Sequence, residues 1–187
     1  MDGKDKWLET GYRHFAEFGP EQLSIKRIAT EMDVSRSTFY NYFADKENLV
    51  EALLGNHMIL TENFKEELQE ECKVYAPDLF VLLAQYPEAV KFHRQLFLHR
   101  HNPVYNLVFI TVQEKINEIT VPLFKAYYDF NVHYRLAEDL YNCLVDSWYA
   151  KLDTEDLSAE SMQRLSDEIG DTLARFVKSR LFMQMQV

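Results

Sequence analysis

The spacing of the apolar residues constrains the fold of this chain more than any other feature of its sequence. Apolar side chains recur three and four positions apart, as Leu8, Tyr12 and Phe15 do near the N-terminus, and this spacing marks one face of an α-helix. Gly19-Pro20 then ends the first such segment. No alternation of apolar and polar residues typical of a β-strand runs for more than a few positions. The pattern predicts an all-α protein.

Capping residues and prolines divide the chain into nine predicted helices. Ser24 and Ser35 can cap two short helices, and Asp45 and Ser158 can cap two long ones. Pro122 is expected to kink or break the helix that contains it. The predicted helices cover residues 4–18, 25–32, 36–42, 46–72, 78–86, 88–99, 104–129, 132–152 and 159–181.

Composition argues against several classes of function. The five glycines include no two close enough to form a phosphate-binding loop. Cys72 and Cys143 lie far apart, without the spacing of a zinc site, and are typical of free thiols in a reducing compartment. The longest apolar run, Leu79 to Ala84, has six residues, whereas a membrane span needs roughly 20. We expect a cytoplasmic protein without a cofactor, without membrane contact and without a secretion signal.

The net charge of −10 argues mildly against a nucleic-acid partner. The acidity is unevenly distributed, however, because residues 24–46 contain four basic and three acidic residues and carry a net charge of +1. The overall charge therefore does not exclude DNA binding by this segment.

Two short predicted helices, joined by the turn Asp33-Val34-Ser35 and preceded by a helix that can pack across them, form a candidate helix-turn-helix. The second helix of such a motif needs a polar outer face to enter the major groove and an apolar inner face to hold it. Phe39 and Phe43 supply the inner face. The outer face consists of hydrogen-bonding residues: Arg36, Ser37, Thr38, Tyr40, Asn41 and Tyr42. Arg36 lies at the N-terminal end, where base edges are normally read.

These segments resemble a known family. The runs Leu23 to Ala29, Val34-Ser35, Ser37 to Phe43 and Asp45 to Leu49 are similar to the N-terminal DNA-binding domain of the TetR (tetracycline-repressor) family of bacterial regulators, over about residues 7–54. The resemblance implies a three-helix DNA-binding domain at residues 1–48. A long helix would join it to a helical effector-binding and dimerisation domain at residues 49–187.

The resemblance also implies which residues bind DNA. Arg36 is the expected guanine contact, and Tyr40 and Tyr42 are expected at phosphates or a thymine methyl group. Lys46, at the start of the next helix, is expected to bind a phosphate. The full set is Ser24, Lys26, Arg36, Ser37, Thr38, Tyr40, Asn41, Tyr42 and Lys46.

The turn departs from the family pattern, because the family usually has glycine where this chain has Asp33. Aspartate tolerates the left-handed conformation moderately well, so we expect the turn to survive. An acid at this position lies near DNA and is expected to weaken or orient binding slightly.

A dimer built mainly from the last two helices is a further implication of the resemblance, and apolar stripes on both helices allow it. Paired across a two-fold axis, these stripes would give a four-helix interface, in which Gly170 would let a neighbouring backbone approach. The expected interface residues are Leu140, Leu144, Trp148, Leu165, Ile169, Gly170, Leu173, Phe176 and Val177.

The middle of the chain is rich in aromatic residues, with 15 of the 26 between Tyr75 and Ala150. Such rings either pack in the core or line a ligand pocket. His93, His99 and His101 predict no metal site, because positions two apart do not share a helix face and no acid or cysteine lies among them. The candidate ligand-binding residues are Phe97, His101, Tyr105, Phe109, Tyr141 and Trp148.

These features predict a homodimeric transcriptional repressor that a small, largely apolar ligand releases from a palindromic operator. The alternative is a helical adaptor whose C-terminal domain chiefly binds a protein partner. We expect no enzyme activity, because the spacing brings no nucleophile, base and orienting acid together.

Overall fold

The computed structural model describes the backbone of residues 3–184 and the side chains of residues 3–179. No strand occurs within the described range, and the prediction of an all-α protein is confirmed. The elements are α1 (Gly3–Gln22), α2 (Ile25–Glu31), a 3-10 helix (Arg36–Asn41), α3 (Lys46–Glu71), α4 (Asp78–Leu83), α5 (Pro87–Leu98), α6 (Pro103–Tyr127), α7 (Tyr134–Lys151) and α8 (Ala159–Gln184). None of these helices is both long enough and apolar enough to span a bilayer.

The predicted capping residues are confirmed, and they set the ends of the short helices. Ser24 Oγ accepts a hydrogen bond from Arg27 N at 3.4 Å, and Ser35 Oγ accepts one from Ser37 N at 3.1 Å. Asp45 Oδ1 accepts from the backbone N–H of Asn48 at 2.8 Å at the start of α3. The second short helix is a 3-10 helix instead of an α-helix, as is common for helices of so few residues.

The structure differs from the expectations at two prolines. α6 continues through Pro122 to Tyr127, so a break, one of the two outcomes expected there, does not occur. α1 does not stop at Gly19 but changes direction there, with φ of 78° and ψ of 173°, and continues for one short turn to Gln22. Only glycine adopts this backbone conformation without strain. We call Gly19-Pro20 the α1 kink.

The chain divides into two compact units. The first comprises Met1–Phe64 and Pro87–Val112, and the second comprises Lys65–Tyr86 and Gln113–Val187. α5 and the first part of α6 thus pack with the N-terminal helices. Compact units need not coincide with functional domains, and the boundary between residues 48 and 49 stays a prediction.

In the first unit, α1 packs against α5 through stacked rings. The ring centroids of Tyr12 and Phe15 lie 4.3 and 4.2 Å from that of Phe92. All three rings are buried. This contact fixes α1, the helix that precedes the helix-turn-helix.

The second unit is built around Tyr75. Its buried ring packs against Phe80, Phe124 and Tyr141, and its hydroxyl lies 2.9 Å from the hydroxyl of Ser166 on α8. Burial raises the pKa of Tyr75 well above its usual value, so the hydroxyl keeps its proton.

Candidate nucleic-acid interface

The 3-10 helix is held on a buried aromatic base. Phe39 is completely buried, and its ring centroid lies 5.2 Å from that of Trp7 on α1 and 5.3 Å from that of Phe43. The prediction that Phe39 and Phe43 form the inner face is confirmed by their burial. Because this base fixes one side of the helix, the polar residues occupy the other side.

The predicted outer face is largely open to solvent. Thr38 is half-buried, and its hydroxyl donates to Ser35 O at 2.7 Å. The hydroxyls of Ser37 and Ser35 are 2.6 Å apart, so these short side chains bond within the first turn. The five exposed residues of the set are Arg36, Ser37, Tyr40, Asn41 and Tyr42.

Arg36 and Tyr40 lie one turn apart on the exposed side. Arg36 Nη2 donates to Tyr40 Oη at 3.5 Å, and 54% of Tyr40 is exposed. The guanidinium and the phenol therefore present adjacent hydrogen-bonding groups on one surface.

The turn before the 3-10 helix has the conformation expected of it. Asp33 adopts a φ of 53°, in the left-handed region, and Val34 N donates to Ala29 O at 3.0 Å. The expectation that the turn survives with aspartate is confirmed. Asp33 is exposed beside the outer face.

The other two acids of residues 24–46 bind groups of the same domain. Glu31 binds the guanidinium of Arg13, and its Oε2 lies 2.5 Å from His14 Nε2. The hydrogen bond to His14 is the largest cause of a lowered pKa of Glu31. Asp45 caps α3. These contacts offset part of the negative charge near the outer face.

Three predicted phosphate contacts differ in their surroundings. Lys26 is exposed on α2, and Ser24 is half-buried at the N-cap of the same helix. Lys46 is half-buried, and its Nζ donates to the backbone carbonyl of Pro20 at 2.8 Å. Sequence reasoning missed this bond, although Gly19-Pro20 at a helix end signals carbonyls without intrahelical donors.

The N-terminus of α1 meets the end of the 3-10 helix. A side chain at Gly3 would collide with the hydroxyl of Tyr42, so the ring of Tyr42 lies directly against this glycine. The ammonium of Lys4 lies 5.8 Å from the ring centroid of Phe43. The sequence pattern did not indicate these contacts, since Gly3 precedes the periodic part of α1.

The candidate ligand-binding residues are divided between the two units. Phe97 and Phe109 are buried in the first unit with ring centroids 5.8 Å apart. In the same unit Tyr105 is half-buried, with its ring 6.0 Å from that of Phe15, and His101 is exposed.

Tyr141 and Trp148 belong to the core of the second unit. The ring of Tyr141 lies 5.2 Å from that of Phe124, and Trp148 Nε1 donates to Met162 O at 3.0 Å. The ligand pocket stays a prediction. Within the described residues no group of three or more histidine, cysteine, aspartate or glutamate side chains is arranged to hold a metal ion.

A line of buried polar side chains that sequence reasoning missed crosses the first unit. Tyr12 Oη lies 2.7 Å from His57 Nδ1, and His57 Nε2 lies 3.2 Å from His93 Nδ1. Burial lowers the pKa of His57 to about 3 and that of His93 well below its usual value. Both imidazoles are therefore neutral near pH 7 and join α1, α3 and α5. The residues stand on three separate helices, so only the fold brings them together.

The expected dimer residues of α8 fall on two faces. Gly170 and Val177 are buried with Met162, Ser166 and Ala174. A side chain at position 170 would collide with the hydroxyl of Tyr128 of the same chain, so Tyr128 already occupies the space that the missing side chain leaves.

The remaining residues of that set are more open. Leu165, Ile169 and Leu173 are half-buried, and Phe176 is 59% exposed. We call these four residues the α8 stripe. On α7, Leu144 and Trp148 are buried, whereas Leu140 is half-buried.

An all-α chain whose N-terminal helices hold a short polar helix over a buried aromatic base has the architecture of a helix-turn-helix DNA-binding regulator of transcription. Residues 8–53 match the family model described as bacterial regulatory proteins, tetR family. This segment is thus similar to the N-terminal domain of the TetR family, and the resemblance is confirmed.

Two solved structures share the fold over nearly the whole chain. The crystal structure of AmtR from Mycobacterium smegmatis has a TM-score of 0.55 and 18% identity, over 93% of this chain and 87% of that one. A transcriptional regulator of the TerR/AcrR family from Aquifex aeolicus VF5 has a TM-score of 0.55 and 17% identity, over 92% of this chain and 98% of that one. A comparison with curated proteins finds no match.

Proposed function

We propose that this protein is a homodimeric repressor that binds a palindromic operator and leaves it when a small, largely apolar ligand binds. The observation that carries the proposal is the exposed polar face of the 3-10 helix, held over Phe39 within the segment that matches the tetR family. An exposed face of this kind has the size and chemistry that a major groove accepts.

Arg36 and Tyr40 are the side chains that we assign to base reading. Arg36 would bind a guanine through two hydrogen bonds, the commonest specific contact in the major groove. Ser37, Thr38 and Asn41 would contact neighbouring base edges or sugars. Contacts that fix the register would come from Ser24, Lys26 and Tyr42 at backbone phosphates.

The α8 stripe supports the proposed dimer. Phe176 alone leaves 59% of its surface exposed, next to three half-buried aliphatic residues on the same helix. Contiguous apolar surface on a helix is typical of a protein interface. The half-buried Leu140 would extend the stripe onto α7, and two copies would then place one 3-10 helix at each operator half-site.

Ligand release would follow from a population shift. A ligand bound among the aromatic helices would favour an arrangement in which the two 3-10 helices no longer match successive major grooves. The proposal includes a cytoplasmic location, where the operator is accessible, and no catalytic role.

Selection of bound duplexes from a random DNA pool, near physiological salt, tests the proposal. The wild type should enrich a palindrome, and a variant with Arg36→Ala and Tyr40→Ala should not. Enrichment of a single half-site would contradict the dimer. Failure of the wild type to enrich any duplex would overturn DNA binding and favour the adaptor, which a search for a stable protein complex would then examine. An enriched duplex gives the probe for a screen of apolar ligands that release it.

A further inference from the structure

The α1 kink leaves two backbone carbonyls without donors from their own helix. In a continuous helix, residue 20 would donate its N–H to the carbonyl of Ala16, but Pro20 has no N–H. The carbonyl of Pro20 lies in the last turn of α1, which ends at Gln22, and the last carbonyls of a helix lack intrahelical partners. Both groups therefore need donors from elsewhere.

Two side chains from other helices supply these donors. Gln95 Nε2, on α5, donates to Ala16 O at 3.3 Å, and Lys46 Nζ, at the start of α3, donates to Pro20 O at 2.8 Å. Gln95 packs so closely that a side chain at Gly19 would come within 2.8 Å of its Oε1. The sequence at the kink, a glycine and then a proline, thus creates both the free carbonyls and the space for Gln95.

The bond from Lys46 joins the two ends of the helix-turn-helix. Pro20 lies four residues before Ser24, the N-cap of α2, and Lys46 lies four residues after Tyr42, the C-cap of the 3-10 helix. The segment between Pro20 and Ser24 contains the buried Leu23. A change at the Lys46–Pro20 bond would therefore move the start of α2 relative to the end of the 3-10 helix.

The surroundings of Lys46 differ from those of Lys26. Lys26 is exposed, whereas Lys46 is half-buried with its ammonium on a carbonyl. The ammonium carries three N–H groups, so the bond to Pro20 O leaves two of them for a phosphate. Removal of the Lys46 ammonium would take this donor from the carbonyl of the buried Pro20, which costs free energy.

The geometry points to Lys46 as a positioning residue for DNA binding, assisted by Gln95. Lys46 fixes the entry to α2 against the exit from the 3-10 helix, and Gln95 holds the same kink from α5. This inference rests on the proposed function, and it adds a positioning role to the phosphate contact that the family resemblance implies for Lys46.

The salt dependence of DNA binding separates the two roles. Each phosphate contact by a lysine contributes about 0.9 to the slope of log K against log salt concentration. The probe is the duplex that the wild type enriches from the random pool, and its affinity is measured at several salt concentrations. Lys26→Met should reduce the magnitude of the slope by about 0.9, the contribution of one phosphate contact. Lys46→Met should still weaken binding roughly tenfold at the high salt concentrations where the loss in Lys26→Met has become small, because the hydrogen bond that positions α2 is lost as well.

Two further variants complete the design. Gln95→Leu carries no change of charge and should also weaken binding at every salt concentration, so it tests the kink even if Lys46→Met folds poorly. Lys91→Met is the matched control, because it removes one positive charge from α5, where Lys91 Nζ binds Glu17 Oε2 of α1 at 2.8 Å. It should change affinity by less than about twofold, since an exposed ion pair contributes little.

Hydrogen exchange of the amides of Gly19 and of residues 21–24, measured without DNA, reports on the kink itself. Exchange should be faster in Lys46→Met and Gln95→Leu than in wild type and Lys91→Met. If Lys46→Met loses affinity only as Lys26→Met does and keeps the exchange rates of the wild type, Lys46 acts at a phosphate alone, and unchanged affinity in Gln95→Leu would remove the role of the kink. Either result overturns the inference while the wild type still binds its duplex. If the wild type enriches no duplex, the proposed function itself fails.

Discussion

The helix-turn-helix and α8 differ in the side chains that they leave open to solvent. In the 3-10 helix the aromatic Phe39 is buried and the exposed positions carry hydrogen-bonding groups. α8 buries Met162, Ser166, Gly170, Ala174 and Val177, and beside charged exposed residues it leaves the apolar α8 stripe partly or largely exposed.

This contrast matches the two kinds of partner in the proposed function. A duplex presents phosphates and base edges, so a surface that binds it needs exposed donors and acceptors. A second protein chain presents apolar surface at the centre of its interface, so the matching surface exposes hydrophobic side chains. Each exposed surface lies on a helix whose opposite side is packed. Phe39 packs under the 3-10 helix, and Tyr128 packs against Gly170 of α8.

Removal of the aromatic base should have the largest effect. Phe39→Ala deletes a completely buried ring that packs on Trp7 and Phe43. Loss of a buried phenylalanine costs about 3–5 kcal/mol of unfolding free energy, and DNA binding should be lost with it. Urea unfolding monitored by circular dichroism measures the change. Tyr40→Ala is the control, because removal of this exposed ring should lower the free energy of unfolding by less than about 0.5 kcal/mol. Equal losses for the two variants would contradict the assignment of an inner and an outer face.

A charge on the α8 stripe should break the apolar surface. Phe176→Asp places a carboxylate where the proposed dimer buries an aromatic ring, and a central aromatic residue contributes about 2–4 kcal/mol to an interface. Analytical ultracentrifugation should show monomers at concentrations where the wild type is dimeric. Lys178→Gln, which makes the same change of net charge at an exposed position of α8, should remain a dimer. If Phe176→Asp is as dimeric as the wild type, the stripe is not the interface.

The sequence predicted the first surface better than the second, for a physical reason. In the short helices the caps Ser24 and Ser35 are local, since each side chain binds a backbone N–H two or three residues away. Local bonds of this kind can be read from residue order. Each of the nine helices found in residues 3–184 was predicted, with ends displaced by at most a few residues.

On α8, periodicity indicated an apolar stripe but not what covers each part of it. Gly170 was expected to admit a neighbouring backbone, and in the structure Tyr128 fills that place. The Lys46–Pro20 bond and the line Tyr12–His57–His93 were missed because their partners are 26 or more residues apart. Contacts over such separations depend on helix packing, which spacing in one helix does not encode.

Arg36→Ala tests whether the polar surface of the 3-10 helix contacts a specific base. Loss of a two-bond contact to guanine should cost about 1–3 kcal/mol of binding free energy, confined to one base position. Anisotropy titrations with the selected duplex and with single-base variants measure it. Arg36→Lys should keep affinity for nonspecific DNA while relaxing the same position. Equal losses on the selected and a scrambled duplex would mean that Arg36 contacts the phosphate backbone.

Burial of polar groups in the first unit predicts a dependence of stability on pH. The pKa of His57 is lowered by burial to about 3, while the unfolded chain binds a proton with a pKa near 6.5. Its contribution is therefore complete above pH 6.5 and is lost as the pH falls from there towards 3. Between pH 6.5 and 5.5 the loss from His57 should be about 1 kcal/mol. Urea unfolding at the two pH values should show a smaller loss in His57→Gln, whereas the exposed His101→Gln should match the wild type.

The smallest effects should come from Asp33, where the polar surface carries an exposed acid in a left-handed conformation with φ of 53°. Asp33→Asn keeps a residue that tolerates this conformation and removes the charge, so it should raise affinity for the selected duplex about twofold at low salt and less at high salt. Asp33→Gly removes the charge and also the steric cost of the side chain, and should add about 0.5 kcal/mol of stability that the asparagine variant lacks. Comparison of the two separates charge from backbone conformation. If asparagine leaves affinity unchanged at every salt concentration, the carboxylate lies away from the bound duplex, and the turn faces solvent in the complex.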